Sequence, residues 1–310
     1  MSVGSFAVDR GDTISGALRA YGDNPSAFLT RGQGNECFTV AGKEGVIPYR
    51  ARGGYLHQTG GVIAPDDAQE GLLRAFVEFA GEHRRKAVAT RLRRPDAELF
   101  ARCGFTVNQA GSSYSVYLPE FRLAGPRLAE LRETVSGAWA AGLTAGEVAH
   151  EDIADRIREW GGREGAGPRR VFAGRVGDRV VAYVAYVPVL GSRPGWLHQA
   201  ARTAPGTAPG ALAAVGLEAV RVFSAERAQW LHLGFTPLAG LGAQYEVGTP
   251  GRAAARLLRA LAGRAGHPSA RRLAHQRIWD PHLMQPGYLA WRGRAAAEAL
   301  GQLLRPARAL

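Results

Sequence analysis

The chain has 310 residues, 46% of them apolar, and carries 39 Lys+Arg against 27 Asp+Glu for a formal charge of +12. That length accommodates about two domains of ordinary size with packed cores, and no stretch approaches the roughly 20 apolar residues of a membrane-spanning helix. Two cysteines, Cys37 and Cys103, exclude both a disulfide framework and a zinc site, and each has apolar neighbours suited to burial. The charge points to a polyanionic partner: nucleic acid, an anionic membrane surface or a phosphorylated substrate. It is almost entirely arginine, with Lys43 and Lys86 the only lysines. Met1 to Thr13 lacks a basic stretch followed by an apolar one, which sets the expectation of a cytoplasmic protein.

In chain order, Cys37–Val40 and Gly45–Tyr49 read as strands across the turn Ala41-Gly42-Lys43-Glu44, and Tyr55–Val62 as a further strand. Gln69–Glu82 reads as a helix with Leu72, Leu73, Phe76, Val77 and Phe79 inward, and Ala87–Leu92 as a strand. Pro95 then opens a short helix bearing Leu99, Phe100 and Cys103, stopped by Gly104, and Phe105 starts an extended run through Tyr114–Leu118. Phe121–Ala141 predicts a long connecting helix. A second α/β round follows: strand Gly146–Val148, helix Asp152–Trp160, a hairpin of Val171–Val176 and Val180–Val189 across Gly177-Asp178, and strand Trp196–Ala200. After the loop Thr203–Gly210 come a helix Ala211–Phe223 and a second Gly-Phe strand, Trp230–Phe235. Gly161–Pro168 is glycine-rich and predicts a mobile loop beside the site. Beyond Pro250 the chain predicts basic helices, with Arg252, Arg256 and Arg259 on one face and Leu257, Leu258 and Leu261 on another.

The recurring order defines an α/β protein with mixed sheets and flanking helices: a first lobe over residues 1–119, a connecting helix over 120–143 and a second lobe over 144–310. The best-placed polar groups are His198 and Arg202 on the strand feeding the Thr203–Gly210 loop, and His232 on the second Gly-Phe strand. An imidazole serves as a base near neutral pH, and a guanidinium neutralises a phosphate, a carboxylate or a developing oxyanion. Glu226 and Glu246 are candidates for an ammonium group. The Thr203–Gly210 loop offers backbone amides, although Pro205 and Pro209 remove two of them. The tail from Arg271 to Arg292 mixes Arg271, Arg272, His275, Arg277 and His282 with Trp279, Tyr288 and Trp291, a mixture suited either to RNA or to a segment wrapping the second lobe with its aromatics buried. No Gly-x-Ser-x-Gly elbow, His-Glu-x-x-His or P-loop is present.

Tyr21–Phe28, Glu98–Val107, Leu118–Gly125, Trp230–Leu238, Gln276–Pro281 and Gly287–Ala290 resemble, in order and spacing, the C-terminal domain of phosphatidylglycerol lysyltransferases. The resemblance implies tandem acetyltransferase-like (GNAT-like) lobes joined by a helix, and transfer of an aminoacyl group from aminoacyl-tRNA with no metal and no cofactor beyond that co-substrate. On this reading the expected catalytic residues are His198, Arg202 and His232, the expected substrate contacts Thr203, Glu226 and Tyr245, and the expected tRNA contacts Arg252, Arg256, Arg259, Arg271, Arg272 and Arg277. Membrane members carry a transmembrane domain ahead of the catalytic one. No such segment occurs in this sequence, so the expected acceptor is a small-molecule amine or hydroxyl, as in antibiotic-type metabolism. Phosphatidylglycerol, met through the Arg252 face at a membrane, and an acetyl-coenzyme A reaction are the alternatives. Pro209-Gly210-Ala211-Leu212 after Arg202, and Glu133-Thr134 in the connecting helix, depart from the membrane enzymes and leave the transferred amino acid open.

Overall fold

The computed structural model describes residues 10–31, 34–160, 169–264 and 267–304, and the predicted Gly161–Pro168 loop lies outside them. Within the first round the strands are β1 (Glu36–Phe38), β2 (Ile47–Arg52), β3 (Tyr55–Thr59), β4 (Lys86–Leu92) and β5 (Thr106–Tyr117). Helix α1 (Arg10–Tyr21) precedes them, and α2 (Asp66–Glu82) and α3 (Arg94–Arg102) are interleaved. Helix α3 forms where the sequence promised it. Pro95 occupies the first turn, the Asp96 carboxylate accepts from the Arg93 backbone N–H at 3.0 Å, and Gly104 at φ 80° lets the chain turn into β5.

The predicted connecting helix is shorter than expected. Pro126–Leu128 forms a 3₁₀ turn and α4 runs only over Ala129–Ala140, because Gly125 and Pro126 break the periodicity before it. The second round supplies β6 (Leu143–Val148), α5 (Ala154–Glu159), β7 (Arg170–Val176), β8 (Arg179–Val189), β9 (Gly195–Thr203), α6 (Ala211–Ala225) and β10 (Trp230–Pro237). The basic tail contains α7 (Arg252–Ala262), α8 (Pro268–Arg277) and α9 (Ala296–Leu304), and between the last two an unexpected strand, β11 (Leu283–Trp291).

Among the described residues the eleven strands form one sheet in the order β1-β2-β3-β4-β11-β5-β10-β9-β8-β7-β6. Strand β11 lies antiparallel between β4 and β5, and β5 pairs antiparallel with β10. The last strand of each round therefore sits beside a strand of the other round. Two parallel pairs, β3 with β4 and β9 with β10, occupy matching positions on either side of this exchange.

One core joins α2 and α3 to the first-round strands through Leu72, Phe76, Leu99, Phe100 and Tyr288. A second joins α4 and α6 to the second-round strands through Val135, Phe172, Tyr186, Val215, Phe223 and Trp279. Trp279, Tyr288 and Trp291 are buried, which overturns a base-stacking role for the tail aromatics and favours the wrapping segment.

Candidate active site

The parallel pairing of β9 and β10 is brief. It runs from Gly195 opposite Trp230 to Leu197 opposite His232, after which the strands part. Two irregularities cause this: β10 shifts register on β5 between His232 and Gly234, and β9 carries an extra residue, Gln199, so that Ala185 faces Ala200 while Tyr186 faces His198. Helix α8 fills the wedge. The Gln276 side-chain amide donates to the carbonyls of Leu233 (2.9 Å) and Gly234 (3.1 Å), which the departing strand leaves free, and accepts from the Thr236 hydroxyl at 2.5 Å.

His198 points into this wedge. It borders a cavity of about 20 Å³ together with Tyr186, Leu212, Gly216, Leu231, His275, Gln276 and Trp279, enough room for one water. Its Nε2 is shielded from solvent and has no hydrogen-bond partner among the described residues. Burial, the Arg272 guanidinium and His275 push its pKa down to about 3, so the ring is neutral at physiological pH. Burial and Arg272 lower His275 as well, and burial raises the Tyr186 phenol, whose ring lies 5.8 Å from that of His198. The wedge thus presents a neutral imidazole, a protonated phenol and a half-buried guanidinium.

The bulge separates residues that the sequence placed together. Leu197 packs with Val187 and Val189, whereas His198 shares the opposite face with Tyr186 and the α6 side chains. Beyond Gln199 the alternation is inverted: Ala201 stands opposite Val184 on the α6 face, and Arg202 stands opposite Tyr183 on the α5 face. Arg202 donates to the Ala201 carbonyl at 2.8 Å. His232, in register with Leu197, also lies on the face away from α6. Its ring is buried, with Nδ1 2.9 Å from the Ser115 hydroxyl and Nε2 3.0 Å from the Arg193 carbonyl. That geometry makes Nε2 the donor and leaves Nδ1 to accept from Ser115. Burial lowers its pKa to about 4. The structure brings His198 together with Arg272, and brings neither Arg202 nor His232 to them.

The other predicted contacts are also dispersed. Glu226 caps α6 at the end far from the wedge loop and pairs with Arg170 at 2.5 Å; Arg170 in turn binds Glu147 and lies over the Phe223 ring at 5.1 Å. Tyr245 accepts the Tyr288 hydroxyl through its carbonyl at 2.7 Å, beside Val247 of the first-round core. Thr203 is exposed at the end of β9. The loop after it is folded on itself, with the Thr207 hydroxyl donating to the Ala204 and Val181 carbonyls. Gly210, at the α6 N-terminus, lies so close to α4 that a Cβ there would stand 2.3 Å from the Thr134 carbonyl oxygen. Backbone of α4, not an open anion cradle, abuts that helix start.

On α7, Arg259 approaches Glu246 at 3.5 Å, Leu258 is buried and Leu257 is exposed. Arg271 and Arg277 on α8 are exposed and flank the half-buried Arg272. Two larger cavities lie elsewhere: about 310 Å³ beside Asp23, Asp66, Arg93 and Asp96, and about 490 Å³ beside Tyr117, Glu120, Trp230, Asp280 and His282. Among the described residues no cluster of His, Cys, Asp or Glu is arranged to hold a metal ion, and no helix is long and apolar enough to cross a membrane.

A sheet of two such rounds, each with a parallel pair beside the central exchange, defines a tandem acetyltransferase-like fold. The family model of the phosphatidylglycerol lysyltransferase C-terminal domain matches residues 16–162 and 157–291, and the chain belongs to that family. It is thereby an acyltransferase of the aminoacyl-tRNA-dependent class.

Solved structures agree on the fold. A C-terminal domain of a lysylphosphatidylglycerol synthetase from Agrobacterium fabrum is 19% identical with a TM-score of 0.75, covering 94% of this chain and 95% of its own. L-PGS from Bacillus licheniformis is 16% identical, also with a TM-score of 0.75, covering 98% of each chain. A tandem GNAT protein from the clavulanic acid pathway is 13% identical with a TM-score of 0.51, covering 93% of this chain and 97% of its own. No curated protein matches the sequence.

Proposed function

We propose that the β9–β10 wedge is the transfer centre and that it moves an aminoacyl group from tRNA to an amine or hydroxyl of a small-molecule acceptor, in specialised metabolism of the antibiotic kind. The unpartnered Nε2 of His198, neutral and beside the Tyr186 phenol, carries this reading. The acceptor nucleophile gives its proton to His198 Nε2 as it attacks the ester carbonyl. The tetrahedral oxyanion collapses with cleavage of the bond to the tRNA ribose oxygen, and that oxygen takes a proton from the Tyr186 hydroxyl. The phenol regains its proton from the imidazolium, so the cycle closes with no net change in the protein. Arg271, Arg272 and Arg277 meet phosphates of the acceptor stem. His232 positions rather than catalyses, holding the Arg193 segment against β5, and Arg202 serves the α5 face.

The cavity at His198 admits a water but not an aminoacyl group. Binding therefore displaces a wall, and α8, which carries Gln276 and leads into Trp279, is the wall that bears the tRNA-facing arginines. Incubating a panel of charged tRNAs with the protein and candidate acceptors tests the reading: one ester is consumed in an acceptor-dependent way, and His198→Ala abolishes the consumption. If no charged tRNA is discharged, or if calorimetry shows acetyl-coenzyme A binding instead, the reading fails.

A second reading has its own observation. Arg252 and Arg256 stand exposed on α7 beside the exposed Leu257, a surface fit for anionic lipid, with phosphatidylglycerol as the acceptor. Lipid extraction after expression with labelled amino acid separates it from the first.

A further inference from the structure

Beside the His198 cavity lies a much larger one. Leu231 and Trp279 line the small cavity, and their chain neighbours Trp230 and Asp280 line the open cavity of about 490 Å³, so one residue step on each of two segments separates the two spaces. The open cavity sits where β5 ends and β10 and β11 begin, at the end of the sheet where β9 and β10 are still paired. The wedge parts at the other end of that pair, beyond His232, so a donor entering there leaves this side free.

The walls suit a cation. Tyr117 and Trp230 form an aromatic side, their ring centroids 4.9 Å apart and inclined at 45°. Arg193 already lies over the Trp230 ring at 6.0 Å, the outer limit of such a contact, without lining the cavity. Two carboxylates, Glu120 and Asp280, border the same space against one guanidinium, that of Arg127, in a chain whose formal charge is +12. Arg127 is 83% exposed and comes no nearer to Asp280 than 3.8 Å, a loose surface pair that an incoming cation can replace. His282 accepts the Tyr117 backbone N–H through Nδ1 at 3.2 Å, so its ring carries its proton on Nε2 and adds no charge.

We propose that this cavity seats a cationic group of the acceptor, an ammonium or guanidinium held against the Tyr117 and Trp230 rings and between Glu120 and Asp280, with the acceptor's nucleophile directed toward His198. This rests on the aminoacyl-transfer reading above and narrows its acceptor to small molecules that carry a cation besides the nucleophile. The rings offer the cation an electron-rich face and the carboxylates its counter-charge, a combination that a neutral or anionic acceptor does not satisfy. Asp280 directly follows Trp279, so a cation bound there acts on the residue next to the wall that must give way for the nucleophile to pass. Phosphatidylglycerol, an anion, is an acceptor that this cavity disfavours.

The test uses the whole protein with n-butylammonium chloride and its neutral counterpart n-butanol, followed by tryptophan fluorescence and calorimetry. The ammonium is expected to bind saturably and n-butanol about tenfold more weakly. Glu120→Gln and Asp280→Asn should each weaken the ammonium about fivefold. Asparagine tolerates the left-handed backbone of Asp280, at φ 45°, so the turn is kept. Glu82→Gln, exposed on α2, is the control with no effect. With charged tRNA, 1,6-diaminohexane should exceed n-hexylamine as an acceptor by about tenfold in kcat/KM, and the double variant Glu120→Gln/Asp280→Asn should lose that advantage through KM.

The proposal is overturned if n-butanol binds as well as the ammonium, if neither substitution weakens the ammonium, or if the diamine has no advantage. Loss of deacylated tRNA binding in Trp230→Leu with n-butylammonium binding intact also overturns it, since the rings would then stack a nucleobase. If no charged tRNA is discharged with any acceptor, the transfer reading fails; discharge that is indifferent to the Glu120 and Asp280 charges removes only the acceptor seat.

Discussion

Gln276 is the joint on which the wedge hangs, and its replacement by leucine should be costly. The side chain makes three buried hydrogen bonds, to the carbonyls of Leu233 and Gly234 and from the Thr236 hydroxyl. Leucine keeps most of the volume and removes all three. Each group stranded without water costs about 1–3 kcal/mol, and partial relaxation of α8 brings the expected total to about 3–5 kcal/mol. At roughly 2 °C per kcal/mol for a chain of this size, the melting temperature should fall by about 6–10 °C. Thr236→Val leaves only the Gln276 carbonyl oxygen unsatisfied and should cost about 1–2 kcal/mol. In the double variant the hydroxyl is gone too, so the combined loss should be smaller than the sum by about 1 kcal/mol. Urea unfolding at matched m-value measures all three. A Gln276→Leu protein within about 1 kcal/mol of wild type would show that the β10 carbonyls find other partners and that α8 is not pinned there.

His198→Ala should abolish transfer while leaving tRNA affinity within about twofold, whereas His232→Ala should chiefly lower stability, by about 1–3 kcal/mol, because it strands the Ser115 hydroxyl and the Arg193 carbonyl. Single-turnover discharge alongside thermal melting tells the two apart. Glu226→Gln should leave kcat/KM for transfer unchanged, and Arg170→Met should cost about 3 kcal/mol by leaving Glu147 and Glu226 unpaired and uncovering the Phe223 ring; a kinetic defect in Glu226→Gln would restore it to the site. Burial raises the Asp96 carboxyl to about 6 from an ordinary value of 3.8, with Arg93 pulling the other way. The folded protein therefore holds that proton more tightly than the unfolded chain. The stabilisation is full below about pH 4 and is lost as pH rises through 6, a change of about 3 kcal/mol. Urea midpoints across that window should decline for wild type relative to Asp96→Asn, and parallel curves would count against the assignment.

Where the sequence could be read, local rules and tertiary structure agreed. The Pro95–Phe105 segment carried its own start signal, apolar stripe and glycine stop, and it folds as α3 and the entry to β5. Strand β11 was hidden because Pro286 and Gly287 interrupt it. A central strand tolerates them here because the register shifts between Gly287 and Tyr288. The site was misassembled for a related reason. Residues four apart on a regular strand share a face, which places His198 and Arg202 together. The single extra residue Gln199 inverts that relation, and nothing in Leu197-His198-Gln199-Ala200 announces a bulge.

The strand exchange makes the two rounds interdependent, and this bears on how the site is built. Strand β11 hydrogen-bonds on one side to β4 and on the other to β5, while β5 also pairs with β10. From β4 to β10 there are three steps of about 4.8 Å, and two of the three intervening ladders involve β11. A chain cut after residue 249 would keep every element of the first round but lose that strand, leaving the edges of β4 and β5 unpaired and the Leu289 and Trp291 side of the core open. Such a fragment should show no cooperative urea transition, and residues 250–310 supplied as a separate chain should restore one. A sharp transition for the fragment alone would mean that the first round closes its own sheet. If the fragment does require its missing strand, the two rounds share their ladder hydrogen bonds through β11, and the β9–β10 wedge is held by the same sheet that joins them.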